Sequence, residues 1–217
     1  MDARVKNDPM RPIFYNHLDG YKCICTKDGL IKTLQHFYMT NESASRASYS
    51  VFDTTPTTYI IDQSKEHNGE LNLLSAKFKE ISLGALAGER MPAKHCQKNM
   101  WLVKPAFLNR GRGIGIFKSM KDIQDYMFNK NIQIKDWVVQ KYIERPLLLN
   151  GRKFDIRIWV IVTEDLKIYF YRQGYLRTSS GTFDLADKNN FVHLTNHCFQ
   201  VAGENYAKHE DGNTLSY

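Results

Sequence analysis

Apolar and polar positions change period several times along the chain, and each change marks an element. Asp28-Gly29-Leu30-Ile31-Lys32-Thr33-Leu34 spaces its apolar residues helically and reads as a helix start. Met39 to Ser50 is polar and serine-rich, which predicts a loop. Thr57-Thr58-Tyr59-Ile60-Ile61 is β-branched and aromatic and predicts a short strand. A Leu- and Ala-containing helical pattern runs around Leu71 to Leu86, then a Gly- and Pro-punctuated loop through Pro92.

From Trp101 the character shifts toward strands. Trp101 to Lys104 is one, a glycine loop follows, and Ile114 to Phe117 is a second. Ser119 is placed to cap a helix over Met120 to Asn129. Trp137 to Ile143 reads as a buried strand. Two long strands are expected next, Lys153 to Val162 and Ile168 to Arg177, turning at Thr163-Glu164-Asp165. Hairpins of this kind, without regular βα alternation, predict an α+β fold with antiparallel sheets and flanking helices.

Composition narrows the setting. With 217 residues, 42% hydrophobic and 24% charged, the chain can bury a real core. No apolar run is long enough to cross a bilayer, and Met1 to Lys6 lacks a signal-peptide core, which predicts a cytoplasmic protein. The four cysteines then read as reduced thiols, Cys23 and Cys25 lying too close for half a zinc knuckle. The net charge of +7 favours polyanionic partners. Much of it clusters in segments that also carry glycine loops and charged strands, at Lys104, Arg110, Arg112, Lys153, Arg157, Arg172 and Arg177. That distribution favours phosphates and acidic peptides over duplex DNA.

Four segments carry candidate chemistry. Lys104-Pro105 followed by Asn109-Arg110-Gly111-Arg112-Gly113-Ile114-Gly115 combines glycines, which let backbone N–H groups approach phosphate oxygens, with cations. It is neither a Walker loop nor a Rossmann fingerprint, because it joins two strands; it reads as a flap over phosphates or as a plain hairpin with exposed Arg. In Lys153-Phe154-Asp155-Ile156-Arg157-Ile158, period 2 puts Lys153, Asp155 and Arg157 on one face and Phe154, Ile156 and Ile158 toward a core. That face meets either water or a ligand. The aromatic strand after it predicts more than a thin surface ribbon, and Arg177 is placed at a strand end. Gln140-Lys141-Tyr142-Ile143-Glu144-Arg145-Pro146 ends a strand before an X-Pro turn and reads as a plain structural strand end or as exposed backbone groups that can pair with an adenine edge. In His193-Leu194-Thr195-Asn196-His197-Cys198 no Glu stands between the histidines, which argues against zinc. Asn196 fits better as a polar ligand near a phosphate-bound metal.

In order and spacing these segments resemble the tubulin–tyrosine ligase-like family, a branch of the ATP-grasp enzymes. The likeness rests on Trp101 to Pro105, Arg110 to Ile114, Gln140 to Ile143 with Pro146-Leu147-Leu148-Leu149, Arg152 to Arg157, Tyr175 to Ser180 and His193 to His197. It is firm from about Asn99 to Tyr217 and weaker at Asn16 to Gly20 and Thr26 to Leu30. The resemblance implies an ATP-grasp-like core over 99–217, with 1–98 as an N-terminal and linking region. It implies Lys104 on the α/β-phosphates, with Lys27 added to the phosphate set. The Arg110-Gly111-Arg112-Gly113 flap would close over them. Gln140, Lys141 and Ile143 would frame adenine, with Tyr142 in the same cofactor-binding run. Lys153 and Asp155 would reach the nucleotide, and Thr195 and Asn196 would lie near ribose or phosphate. Arg157 and Arg177 would act catalytically on the γ-phosphate and the acyl-phosphate made from it. The family holds Mg²⁺ through acidic residues near its C-terminus, and the chain stops at Tyr217 before such a segment, which predicts a core truncated there with no identified metal ligands.

The reaction the resemblance implies is ATP-dependent joining of an amino acid (tyrosine, glutamate or glycine) to tubulin C-terminal tails or another acidic protein. It implies a free amino acid as co-substrate, a place on the cytoskeleton, cilium or basal body, and neither nucleic acid nor membrane as partner. The competing expectation is a module that holds nucleotide or an acidic tail without turnover. A protein kinase is excluded by the lack of His-Arg-Asp and Asp-Phe-Gly segments.

Overall fold

A computed structural model describes residues 17–41, 50–64, 69–86 and 98–216. The elements before the first sheet are α1 (Lys22–Cys25), α2 (Lys27–Thr40) and α3 (Val51–Thr54). The Thr26 side chain accepts from the Gly29 amide and caps α2, and Lys32 pairs with Asp28 one turn back. The loop expected over Met39 to Ser50 starts two residues late, because α2 runs to Thr40; positions 42–49 lie outside the described residues, as do the loop through Pro92 and Asn16.

The first sheet is antiparallel, in the order β1 (Thr58–Asp62), β4 (Asp136–Lys141), β2 (Trp101–Pro105), β3 (Gly115–Phe117). It draws strands from both sides of position 98. Period 2 sends Tyr59, Ile61, Trp101, Val103, Trp137 and Val139 to one face. There they pack on Leu74 and Ile81 of α4 (Gly69–Leu86) and on Ile123 and Met127 of α5 (Met120–Met127). Ser119 caps α5 by accepting from the Asp122 amide. The opposite face carries Leu102, Lys104 and Gln140.

Lys141 shares the core face of β4 with Trp137 and Val139. Its ammonium is therefore buried, and it is held by Glu144 Oε1 at 2.5 Å and by the Met100 carbonyl at 3.0 Å. Glu144 also accepts from the amides of Lys98 and Met100 at 2.6 and 2.7 Å.

The second antiparallel sheet runs β10 (Thr214–Ser216), β9 (Tyr175–Thr182), β6 (Arg152–Arg157), β5 (Leu148–Leu149). Its interior is polar. Arg152, Thr178 and Glu210 interlock, and the amide and hydroxyl of Ser180 both donate to Gln200 Oε1. Gln200 belongs to α7 (His197–Gln200), which follows α6 (Asn190–His193); Asn213 Nδ2 donates to the Thr178 carbonyl.

Here the structure corrects the sequence pattern. The two long strands expected over 153–162 and 168–177 each break. Their distal parts, β7 (Val160–Val162) and β8 (Ile168–Phe170), form a separate two-stranded ribbon. Arg177 is consequently inside β9, between Asp155 and Thr214, and not at a strand end. The expected core face of β6 does not extend to its far end. Ile156 is 57% exposed although it still pairs with Leu176 of β9, and Ile158, beyond the end of the strand, is 40% exposed. Ile161, Ile168, Tyr169 and Phe170 are also exposed, so the aromatic strand does form a surface ribbon.

Candidate active site

The cation-bearing face of the first sheet and the β6–α6 side of the second enclose a cleft of about 310 Å³. Lys104 projects from β2 and Lys153 from β6; Thr195 and Asn196 follow α6, and Lys27 opens α2. The flap residues Arg110, Gly111 and Arg112 close the rim. Among the described residues that line it there is no carboxylate.

The flap takes a conformation few sequences allow. Arg110 and Gly111 both have positive φ, 59° and 76°, and Gly113 follows at 66°. A Cβ on Gly113 would stand 2.8 Å from Pro105 Cγ, so the loop folds back on the end of β2 only with glycine there. Arg112 is steadied by donating to Asn109 Oδ1 at 3.1 Å.

Each cleft lysine is anchored. Lys27 Nζ donates to the carbonyls of Pro105 and Ala106 at 3.0 and 3.3 Å and to that of Leu108. Lys104 Nζ donates to Gln140 Oε1 at 2.6 Å, and Gln140 Nε2 donates to Thr58 Oγ1 at 2.9 Å. Lys153 Nζ donates to the His193 carbonyl at 2.9 Å and to the Tyr142 hydroxyl at 3.2 Å. Pairing slips at Lys153. Arg152 faces Thr182 and Phe154 faces Thr178, so Ser179, Ser180 and Gly181 stand opposite Lys153 alone, an irregularity that re-aims its side chain. Burial pushes both Lys104 and Lys153 down to about 8; Lys27 lowers the first further, and Asp155 partly offsets the effect on the second.

Beside the cleft, Asp155 takes a two-pronged bond from Arg177 at 2.7 and 2.9 Å and one from the Thr195 hydroxyl at 2.6 Å. Arg157, one full strand period further along, is exposed. Of the residues assigned from sequence, Lys27, Lys104, Arg110, Gly111, Arg112, Lys153, Thr195 and Asn196 share the cleft wall. Gln140, Tyr142 and Asp155 reach it through hydrogen bonds to those residues. Gly113 shapes the flap from behind. The Lys141 side chain points into the core, Ile143 is 37% exposed beyond the strand end, and Arg157 and Arg177 do not line the wall.

Two participants were not singled out from sequence: Thr58, which orients Gln140, and the His193 ring. From sequence the two histidines suggest a metal motif and mark the family segment, but neither signal reveals what the His193 ring touches. His193 is buried with its ring between Tyr142 and Asp187, whereas His197 is exposed against Tyr206. Among the described residues no group of three or more His, Cys, Asp or Glu side chains could hold a metal ion.

Comparison with known proteins gives a consistent picture. The model of the Tubulin-tyrosine ligase family matches residues 5–216. Tubulin glycylase 3B of Tetrahymena thermophila is 44% identical over 131 residues, 58% of this chain and 11% of that protein. Human Tubulin monoglycylase TTLL3 is 44% identical over 112 residues, 50% of this chain and 14% of that protein. Human "Probable tubulin polyglutamylase TTLL2" is 34% identical over 198 residues, 89% of this chain and 28% of that protein. The chain thus spans less than a third of the length of each of these relatives.

Proposed function

The chain belongs to the tubulin-tyrosine ligase family, and from that premise we propose that it carries the nucleotide site of an ATP-dependent ligase that joins an amino acid to tubulin tails or another acidic protein. The observation that carries this reading is the cleft itself: Lys104 and Lys153 from two different sheets converge beneath a cationic glycine flap, with no carboxylate among the described residues of the wall. Such a site suits a polyphosphate.

In the reaction, a carboxylate oxygen of one substrate attacks the γ-phosphorus of ATP. The bond from that phosphorus to the bridging oxygen breaks, and ADP leaves. The amine nitrogen of the second substrate then attacks the acyl carbon, losing a proton as inorganic phosphate departs and an amide forms. Lys104, Lys153 and the flap arginines hold the phosphates in line and offset charge spreading over the transferring group. Arg177, already oriented by Asp155, and Arg157 beyond it are assigned to the acyl-phosphate. Mg²⁺ bound to ATP would neutralise phosphate charge; the described residues supply no group of three or more His, Cys, Asp or Glu side chains to hold it. Two of the relatives above are named glycylases and one a polyglutamylase, so glycine is the first amino acid to try, then glutamate and tyrosine. Cytoskeletal and ciliary placement belong to the same proposal.

Calorimetric titration of the chain with ATP, with and without Mg²⁺, tests the site. Lys104→Ala and Lys153→Ala should each weaken binding by roughly tenfold or more, since each removes a charge-assisted contact. Lys167→Ala, whose exposed side chain pairs only with Asp165 among the described residues, should leave it unchanged. Equal losses in all three would reject the cleft as the site. Incorporation of labelled amino acid into tubulin-tail peptides tests turnover; tight ATP binding without incorporation would favour the non-catalytic module.

A further inference from the structure

The described lysines with buried ammonium groups are held in two different ways. Lys141, in the core, faces a carboxylate. Lys104 and Lys153, in the cleft, are held by chains of uncharged groups. A carboxylate on either would fix it firmly but cancel the charge a phosphate needs. Neutral acceptors hold the ammonium and leave its charge available, provided that every acceptor in the chain points the right way.

For Lys153 each acceptor's direction follows from its own partner. His193 Nε2 lies 2.8 Å from the carbonyl oxygen of Asp187. A carbonyl can only accept, so Nε2 carries the hydrogen. Burial holds the ring's pKa below the ordinary histidine value, so at neutral pH the ring carries one hydrogen, and Nδ1 is then a bare acceptor. Nδ1 lies 2.9 Å from the Tyr142 hydroxyl, so the phenol donates its only hydrogen there. The phenol oxygen's lone pairs are then turned to Lys153 Nζ, 3.2 Å away. The same ammonium takes the His193 carbonyl at 2.9 Å and stands 4.5 Å from the centre of the Tyr142 ring. Two residues 51 positions apart thus place one ammonium.

We propose that His193, acting through the Tyr142 hydroxyl, is the positioning residue for Lys153, directing the phenol's lone pairs at the ammonium and holding it, without a carboxylate partner on it, over the phosphate cleft. This rests on the nucleotide reading above for its purpose but not for its geometry. The groups facing the ring are Lys153 from β6, Lys118 after β3, Asp187 before α6, Tyr142 after β4 and the edge-on ring of Phe183. Protonating Nδ1 would present the phenol with two donors and set a cation beside Lys153 and Lys118, against Asp187 alone.

The test uses the full chain and two readouts, one of them independent of nucleotide. The first is the pH profile of Lys153 acetylation by acetic anhydride, read by peptide mass spectrometry. The second is calorimetric titration with ATP and, separately, adenosine. Tyr142→Phe keeps the ring and removes the acceptor. It should move the Lys153 midpoint down by roughly half a pH unit or more and weaken ATP about five- to tenfold, with adenosine unchanged. His193→Leu should act in the same direction. His193→Asn, whose Oδ1 can stand in for Nδ1, should restore most of the loss. If His193→Leu fails to fold, Tyr142→Phe and His193→Asn carry the comparison. An unchanged Lys153 profile in a folded Tyr142→Phe variant, or His193→Asn behaving like His193→Leu, overturns the proposal. Should the wild type bind neither ATP nor adenosine, the nucleotide reading falls, and the acetylation profiles alone still decide the positioning role.

Discussion

Lys104 and Lys153 tie the chemistry of the cleft to pH. Each gives up its proton near pH 8 in the folded protein and near the ordinary lysine value of 10.5 in the unfolded chain. Between those limits the unfolded chain binds more protons, so these two groups make the fold more stable as pH rises through that window. Phosphate binding has the opposite sign, because it needs the ammonium forms. ATP affinity should therefore hold steady below about pH 7.5 and fall progressively between 8 and 9, with net proton uptake on binding that grows in the same range. Titrations in buffers of different ionisation enthalpy measure this; flat affinity to pH 9 would show that neither lysine meets phosphate. The kinds of residue that build the cleft were legible in the sequence, since lysines beside glycine loops and alternating charges on a strand are local patterns. Their partners were not. Thr58 orients Gln140 from 82 positions away, and the role of His193 depends on which ring nitrogen faces a carbonyl, which no spacing rule conveys.

The two sheets differ in how far sequence revealed them, and the reason is what each buries. The first has an apolar interior built by strict alternation, so its strands could be read to within a residue or two. The second is closed by Arg152, Thr178, Ser180, Gln200 and Asn213, a polar interior that resembles surface when read as hydropathy. The break at 158–159 was hidden because Ile158 and Trp159 and the residues after them, Val160 to Val162, form one apolar run with no turn residue. Alternation says which face a residue takes but not whether the strand stays in its sheet. It does explain Lys141, whose core-facing register was readable although its carboxylate partner depends on the turn beyond the strand. Glu144→Gln would leave that ammonium beside a neutral amide in a fully buried site. We expect a loss of about 3 kcal/mol, measurable by urea unfolding with an unchanged slope. A loss under about 0.5 kcal/mol would show that the carbonyls of Met100 and Tyr142 suffice.

At the scale of the molecule, two surface features stand out among the described residues, an apolar ribbon and a cationic cleft. The β7–β8 ribbon presents Ile161, Ile168, Tyr169 and Phe170 to solvent on a pair of strands too small to be stable on its own merits. Exposed apolar strands of this kind promote self-association. Ile161→Lys with Tyr169→Glu, which face each other across the ribbon, should reduce light scattering of concentrated samples while leaving ATP affinity unchanged. Persistent scattering would place the association elsewhere. At the other extreme, Lys27, Lys104, Arg110, Arg112 and Lys153 ring a single concavity between low-dielectric walls. Such an arrangement acts at a distance, before any contact is made. It draws polyanions in from roughly a Debye length, about 8 Å at physiological ionic strength, and aligns their phosphate end with the opening. The encounter itself then becomes selective. Stopped-flow association rates for ATP should fall steeply as salt is added while dissociation rates change little, and adenosine, carrying no charge to steer, should arrive at the same pace in any buffer.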